Sequence, residues 1–414
     1  MIPITKPWMD EREAEAARRV ILSGWTTQGP EVAAFESDFK AAVGAPYACA
    51  VSNCTTALHL ALMAAGVRAR DEVITVSHSF IATANSIRYC GATPVFVDIR
   101  PDTFNIDVEQ VEAAMTPLTR AILCVHQMGM PCDLARLVEI AHKHAIPLIE
   151  DAACAIGSEI FWNGAWEKIG KPHGDAACFS FHPRKIISTG DGGMITTKHK
   201  TWDAQFRRGR QHAMSVSDTV RHSSAQVTFE SYPEIGFNYR MTDIQAAVGR
   251  EQLKRLPEIV RRRRELAAAY SDELASIPGL VAPREPSWAR SNWQSFCVQL
   301  PDNCEQKEVM QSLLDRGVAS RRGIMCAHRE QAYKDQDWRA AGALVHSEYA
   351  QDRGLMIPLY PQIDETEKRE LMSSLREVLA AEYVLGLGPS RRVTSSPEYL
   401  KHGKAKQEYS RREH

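Results

Sequence analysis

The chain has 414 residues, 44% hydrophobic and 24% charged, with 50 basic side chains against 51 acidic ones. At about 150 residues per domain this is a globular chain of two or three domains, and its net charge of −1 supplies no overall field for DNA, RNA or an anionic membrane. The ten cysteines stand singly, without C-x-x-C zinc spacing or the density of a disulfide scaffold, and read as reduced, mostly buried thiols.

From the start, Met1 to Pro7 meet the charged run Asp10-Glu11-Arg12-Glu13 before a signal-peptide core can form, so a cytoplasmic location is expected. The most hydrophobic helical stretch, 57–67, is too short to span a bilayer and contains His59, so no membrane partner is expected. Strand-like runs at 47–51, 72–76, 93–97, 121–125, 147–149, 177–181 and 194–197 alternate with helical patterns at 56–65, 81–89, 108–114 and 134–144. Several of the strands are continuously apolar, as strands covered on both faces are, which predicts an α/β chain with a mostly parallel central sheet between helices.

Beyond 243–256, the run Arg261-Arg262-Arg263-Arg264 interrupts an apolar helical pattern. It reads either as a polyanion patch or, favoured at neutral net charge, as a solvated helix face with snorkelling stems. A strand at 293–300, a helix at 307–315 and a last amphipathic helix from Asp364 predict a smaller α/β unit. Glu367 would complete a capping box there, and Leu371, Leu375, Val378 and Leu379 share one face. From Gly388 onward, few large apolar residues and many charges read as a disordered tail.

In a parallel sheet, ligands gather at the carboxyl ends of the strands. Ser52-Asn53-Cys54-Thr55-Thr56 opens a helix there, either as a phosphate cradle or as an ordinary N-cap. Asp151 ends a buried strand, to cap a helix or meet a cation. Phe80 follows another strand, with core packing as its default. Lys185, in a loop after 177–181, is out of place for a lysine and suits Schiff-base chemistry. The glycines at 190, 192 and 193 lack dinucleotide and Walker spacing and read as a turn. Asn238 and Arg240 precede a helix with donors suited to an anion, or Thr242 or Asp243 simply caps it. Together these describe pyridoxal phosphate chemistry: an amine for the aldehyde, a carboxylate for the pyridine nitrogen, an aromatic plate, and donors for the phosphate.

The sequence resembles the DegT/DnrJ/EryC1/StrS aminotransferases from Ile2 to about Leu379. Its markers are Ser23 to Pro30, Ser52 to Leu58, Asp71 to Ile74, Gly91 to Asp98, Glu150-Asp151-Ala152-Ala153, Phe179 to Lys185 and Gly236 to Ala247. The resemblance implies a fold-type I enzyme using pyridoxal 5'-phosphate, with a large domain over 1–255, a small one over 256–385 and a tail at 386–414. The first 25 or so residues would pack with the small domain. It implies that Lys185 holds the cofactor and moves the proton, and that Asp151 partners the pyridinium nitrogen. Phe80 would stack on the ring, and Cys54, Thr55 and Ser180 would hold the phosphate. Asn238 would reach the phosphate of the other subunit in a homodimer with shared sites. Thr27, Gln28 and His182 fall near the substrate. Arg321, Arg322 and His328 lie in a loop similar to that of enzymes aminating C4 of 4-keto-6-deoxy sugar nucleotides, where arginines would meet a diphosphate.

The sequence departs from the common pattern at Cys54, Cys154 and Asp191. Lysine rather than histidine at 185 disfavours a dehydratase branch. The expected reaction moves the amino group of glutamate to a nucleotide-linked keto-sugar, without metal or nucleic acid. The alternatives are a cyclitol or other ring ketone as substrate, and a non-catalytic cofactor-binding regulator.

Overall fold

The computed structural model describes residues 1–386 except 217–220, 222–225 and 228, so the expected tail lies outside the described residues. Two helices precede the first strand, α1 (Glu11–Ser23) and α2 (Pro30–Val43). Then come β1 (Tyr47–Val51), α3 (Cys54–Ala64), β2 (Glu72–Val76), α4 (Ala82–Tyr89), β3 (Thr93–Val97), β4 (Thr119–Val125), α5 (Leu134–His144) and β5 (Leu148–Asp151). A hairpin of β6 (Glu159–Trp162) and β7 (Ala165–Lys168) leads to β8 (Ala176–Ser180), β9 (Gly193–Thr197) and α6 (Lys200–Gly209). The 32-residue α7 (Asp243–Leu274) follows. The remainder is β10 (Ala289–Arg290), β11 (Phe296–Gln299), α8 (Gln306–Asp315), β12 (Arg321–Arg322), β13 (Arg339–Ala340), α9 (Val345–Arg353), β14 (Gly354–Ile357) and α10 (Glu365–Gly386).

The central sheet has eight strands in the order β1-β9-β8-β5-β4-β2-β3-β13. It is parallel from β8 through β13, while β9 runs antiparallel to both β1 and β8. Every residue of β2, β5, β8 and β9 is buried, so most are apolar or small, while Glu72 and Glu150 are paired with Arg339 and His126. On one side Phe35 and Phe39 of α2 pack against Phe179 and Phe181 at centroid distances of 5.0–5.8 Å. On the other, Leu58, Ala61 and Leu62 of α3 cover Val73, Leu123 and Ile149.

The stretch 108–114 is not an α-helix but two single 3₁₀ turns, Val108–Gln110 and Glu112–Ala114. Seven residues ahead of Pro117 leave no room for propagation. The expected strand over 293–300 is shortened to β11, because Trp293 takes a left-handed φ of 53° and residues 291–294 turn away from the small sheet.

The arginine run is neither a polyanion patch nor a fully solvated face. Arg263 is only 2% exposed and donates to the carbonyls of Trp293, Gln294 and Leu359 at 3.0–3.2 Å. Arg262 bonds the carbonyl of Ile363 and Arg264 that of Ser291, leaving Arg261 exposed beside Glu265. The guanidiniums satisfy backbone acceptors where the C-terminal unit docks on the helix. The boundary expected at 255/256 falls inside α7.

Asp364 caps α10 as expected, accepting from the N–H groups of Thr366 and Glu367 at 2.8 Å, and Leu371, Leu375, Val378 and Leu379 face the second core. At the other end of the chain, Ile2 forms a parallel bridge with Val318, its N–H 2.8 Å from the Gly317 carbonyl. The helix α1 lies instead against the first half of α7, with Glu13 bonded to Gln252 and Arg255. Among the described residues no helix is long and apolar enough to cross a membrane.

Candidate active site

Two strand ends and one helix start converge at the carboxyl edge of the sheet. Strand β5 ends on Asp151, which is 5% exposed. Its Oδ2 accepts from Thr83 Oγ1 at 2.7 Å and its Oδ1 from the Ala153 N–H at 3.2 Å. Burial pushes this carboxyl above its ordinary value, against those two hydrogen bonds and the nearby charge of Lys185.

Strand β8 ends on Ser180, and the chain then turns so that the Lys185 N–H bonds the His182 carbonyl at 2.8 Å. The half-buried Lys185 brings Nζ to 3.1 Å from Cys154 Sγ, on the loop that follows Asp151. Burial works against its charge, but Cys154, Asp151 and Cys54 outweigh it and hold the amine above its ordinary value. His182 Nδ1 accepts from the Arg184 N–H at 3.2 Å, and burial, aided by the charge of Arg184, lowers the imidazole.

The helix start is α3. Asn53 and Thr56 close a capping box, the Thr56 N–H donating to Asn53 Oδ1 at 2.9 Å. Cys54 and Thr55, the first two helical residues, have N–H groups with no acceptor inside the helix. Gly193 of β9 lies directly beneath: a Cβ there would sit 2.5 Å from the Asn53 carbonyl carbon and 2.9 Å from the Cys54 nitrogen. The Cys54 thiol is turned inward, bonded to the Cys178 carbonyl and raised well above its ordinary value by burial, so only its backbone faces the cleft.

Lys185, Asp151, Ser180, Cys54 and Thr55 thus share one strand-end cluster. Phe80, after β2, is 62% exposed rather than packed in the core. Asn238 is exposed and bridges to Gln211. Thr27 and Gln28 lie at the start of α7: the Thr27 carbonyl accepts from the Asp243 N–H at 3.2 Å, and Gln28 Nε2 reaches Gln211 at 3.4 Å. Thr242 caps α7, whereas the Asp243 carboxylate caps α2 through the N–H groups of Gly29, Glu31 and Val32.

Arg321 and Arg322 are exposed on β12, Arg322 meeting Glu330 at 3.2 Å. His328 ties that loop to the end of β2, its Nδ1 2.7 Å from Ser77 Oγ and its Nε2 3.1 Å from Glu348.

Sequence reasoning missed several supporting residues. Thr83, on α4, holds Asp151 from 68 positions away. Fully buried His126 donates its main-chain N–H to the Asp151 carbonyl at 3.1 Å. Its Nδ1 accepts the Cys132 N–H at 3.0 Å, so the ring proton sits on Nε2, 3.1 Å from Glu150. Asn292 donates to the carbonyls of Cys154 and Ile156, and Gln294 to that of Arg184, each at 2.8 Å. A carboxylate at a strand end was visible in the sequence; its hydrogen-bond donors, scattered over distant segments, were not.

The chain is similar to known proteins over nearly its whole length. Residues 7–376 match the model of the DegT/DnrJ/EryC1/StrS aminotransferase family. The spore coat polysaccharide biosynthesis protein SpsC of Bacillus subtilis is 34% identical over 382 residues, covering 91% of this chain and 97% of that protein. The structure of the aminotransferase TlmJ from Streptoalloteichus hindustanus superposes with a TM-score of 0.83 at 32% identity, over 92% of this chain and 99% of that one. DesV of S. venezuelae, solved in complex with a ketimine intermediate, does so with a TM-score of 0.81 at 31% identity, over 91% and 98%. An amine and a buried carboxylate on neighbouring strand ends, in this fold and with these relatives, place the chain in the DegT/DnrJ/EryC1/StrS aminotransferase family of pyridoxal-phosphate-dependent enzymes.

Proposed function

We propose that the chain transfers the amino group of glutamate to a nucleotide-linked keto-sugar, with a 4-keto-6-deoxy sugar nucleotide as the favoured acceptor, in the cytoplasm. The observation that carries this reading is the Lys185 amine and the buried Asp151 carboxylate in one cluster beside the open start of α3. These groups fit pyridoxal phosphate. Asp151 would hold the proton of the ring nitrogen, a cation that would also offset its burial. The N–H groups of Cys54 and Thr55, with the Ser180 hydroxyl, would hold the phosphate.

The bound cofactor supplies an electron sink. The chain's own work is to keep that sink protonated through Asp151, to move a proton at the substrate carbon through Lys185 Nζ, and to orient the phosphate on α3. Phe80 is free to lie against the ring from the cleft. Thr27, Gln28 and His182 would line the acceptor's approach, and Arg321, Arg322 and His328 are positioned on the loop tied to β2, suited to a diphosphate.

The reading includes a homodimer. Val227, Phe229 and Ile235 are 87–89% exposed on the segment leading to Asn238, an apolar surface that a second subunit would cover while Asn238 reaches its cofactor phosphate. The similarity to SpsC, a spore coat polysaccharide biosynthesis protein, supports a sugar acceptor.

The test starts from absorbance. Purified protein should develop a visible band with pyridoxal phosphate, glutamate should bleach it with release of 2-oxoglutarate, and Lys185→Ala should show neither. A panel of keto-sugar nucleotides against keto-inositols then assigns the acceptor: no band in the wild type, or amination of keto-inositols alone, rejects the reading.

A further inference from the structure

The contact between Lys185 and Cys154 is held from a third part of the chain. The Asn292 side chain, fully buried, donates both its N–H bonds to the Cys154 loop, reaching the carbonyls of Cys154 and Ile156 at 2.8 Å. Its Oδ1 accepts the Gln294 N–H at 2.9 Å, and Gln294 Nε2 in turn bonds the Arg184 carbonyl, one residue before Lys185. The Asn292 N–H is anchored on Ser158 Oγ at 3.0 Å, and Ser158 Oγ donates to the Gly129 carbonyl at 2.6 Å. Gly129 admits this packing because it has no Cβ, which would lie 2.0 Å from Asn292 Oδ1. Residues 292–294 therefore clasp the two loops that carry the two ends of the Sγ to Nζ contact.

We propose that Cys154 is a positioning residue for Lys185, its sulfur holding the amine at the Asp151 end of the cleft and retaining the amine's proton, with Asn292 and Gln294 fixing the separation of the two loops. This rests on Lys185 being the residue that captures the cofactor. A sulfur 3.1 Å from an ammonium accepts an N–H bond and so favours the charged form of the amine. The titratable groups close enough to act on the Nζ charge are Cys154, Asp151, the inward-turned Cys54 and His182. Of these Cys154 alone has a hydrogen-bond contact with Nζ among the described residues. Since only the uncharged amine attacks an aldehyde, the partner that retains its proton governs the pH at which cofactor is captured.

The experiment follows the rate at which cofactor-free protein forms the visible band with added pyridoxal phosphate, from about pH 6 to pH 10, for wild type, Cys154→Ala and Cys154→Ser. Loss of the sulfur should lower the pH midpoint of capture by about one unit in Cys154→Ala, the low end for losing one close partner. Capture below both midpoints is then about tenfold faster. Cys154→Ser, which keeps a donor and acceptor, should fall between. A change confined to band amplitude or thermal stability, with one midpoint for all three proteins, overturns the proposal. No band in the wild type at any pH would instead reject the function on which it rests.

Discussion

Thr83 Oγ1 stands between two oxygens, 2.7 Å from Asp151 Oδ2 and 2.7 Å from Ser79 Oγ. A carboxylate only accepts, so the proton order is fixed: Ser79 donates to Thr83 and Thr83 to Asp151. Thr83→Val keeps the shape and removes the donor, leaving Asp151 the single N–H of Ala153. The carboxyl then titrates higher, since Thr83 holds it down. The expected result is about tenfold weaker binding of pyridoxal phosphate and an acid limb of activity displaced to higher pH. Equilibrium titration and a pH–rate profile check both; an unmoved acid limb refutes the relay.

Asp151→Asn separates capture from chemistry. The amide still fits the pocket, so the visible band should form, but it cannot stabilise a protonated ring nitrogen. Bleaching by glutamate should slow by about a hundredfold or more. A single-turnover rate close to that of the wild type would remove Asp151 from the mechanism.

Glu36, 6% exposed, takes the guanidiniums of Arg210 and Arg207 and the Ala50 N–H beneath β1. Burial opposes its charge, but Arg210 and Arg207 prevail and it titrates below the ordinary 4.5. Because the folded value is depressed, its contribution to stability is complete above the unfolded value and is lost as pH falls through the folded one. Glu36→Gln should destabilise by about 3–5 kcal/mol at neutral pH. In denaturant melts the gap from wild type should stay flat down to about pH 4.5 and narrow below it. A gap that widens in acid contradicts this assignment.

Gly193→Ala forces a Cβ into the Asn53–Cys54 backbone. The start of α3 must shift, so cofactor affinity should fall by about tenfold or more while the chain still folds. Gly342→Ala, where nothing lies within 4 Å, serves as the control and should change neither affinity nor melting temperature. Equal affinities for the two variants would show that the phosphate is held elsewhere.

What the sequence disclosed follows from how local each signal is. The runs 47–51, 72–76 and 93–97 coincide with β1, β2 and β3 to the residue, since strands buried on both faces are built mainly of apolar and β-branched residues. The α10 cap and its leucine face were equally plain. By contrast α1 and α2 went unplaced, although Asp10 and Glu13 spell a capping box and Pro30 sits in the first turn of α2. Lys185 and Asp151 were visible as residues out of place at strand ends. The clasp of Asn292 was not, because its acceptors lie more than 130 positions away and an amide side chain announces no partner. Arg263 misled for a related reason: four consecutive charges suggest solvent, yet the carbonyls that bury one of them come from 30 and 96 residues later.

The bridge between Ile2 and Val318 bears on how the chain is made. Ile2 leaves the ribosome more than 300 residues before its backbone partners at 317 and 319, and the carbonyl of Ile4 waits for the N–H of Leu359. The opening segment is therefore among the last to be secured, and the nascent chain carries it unpaired through most of synthesis. A bulky fusion ahead of Ile2 should thus impede the final stage of folding more than the early assembly of the central sheet.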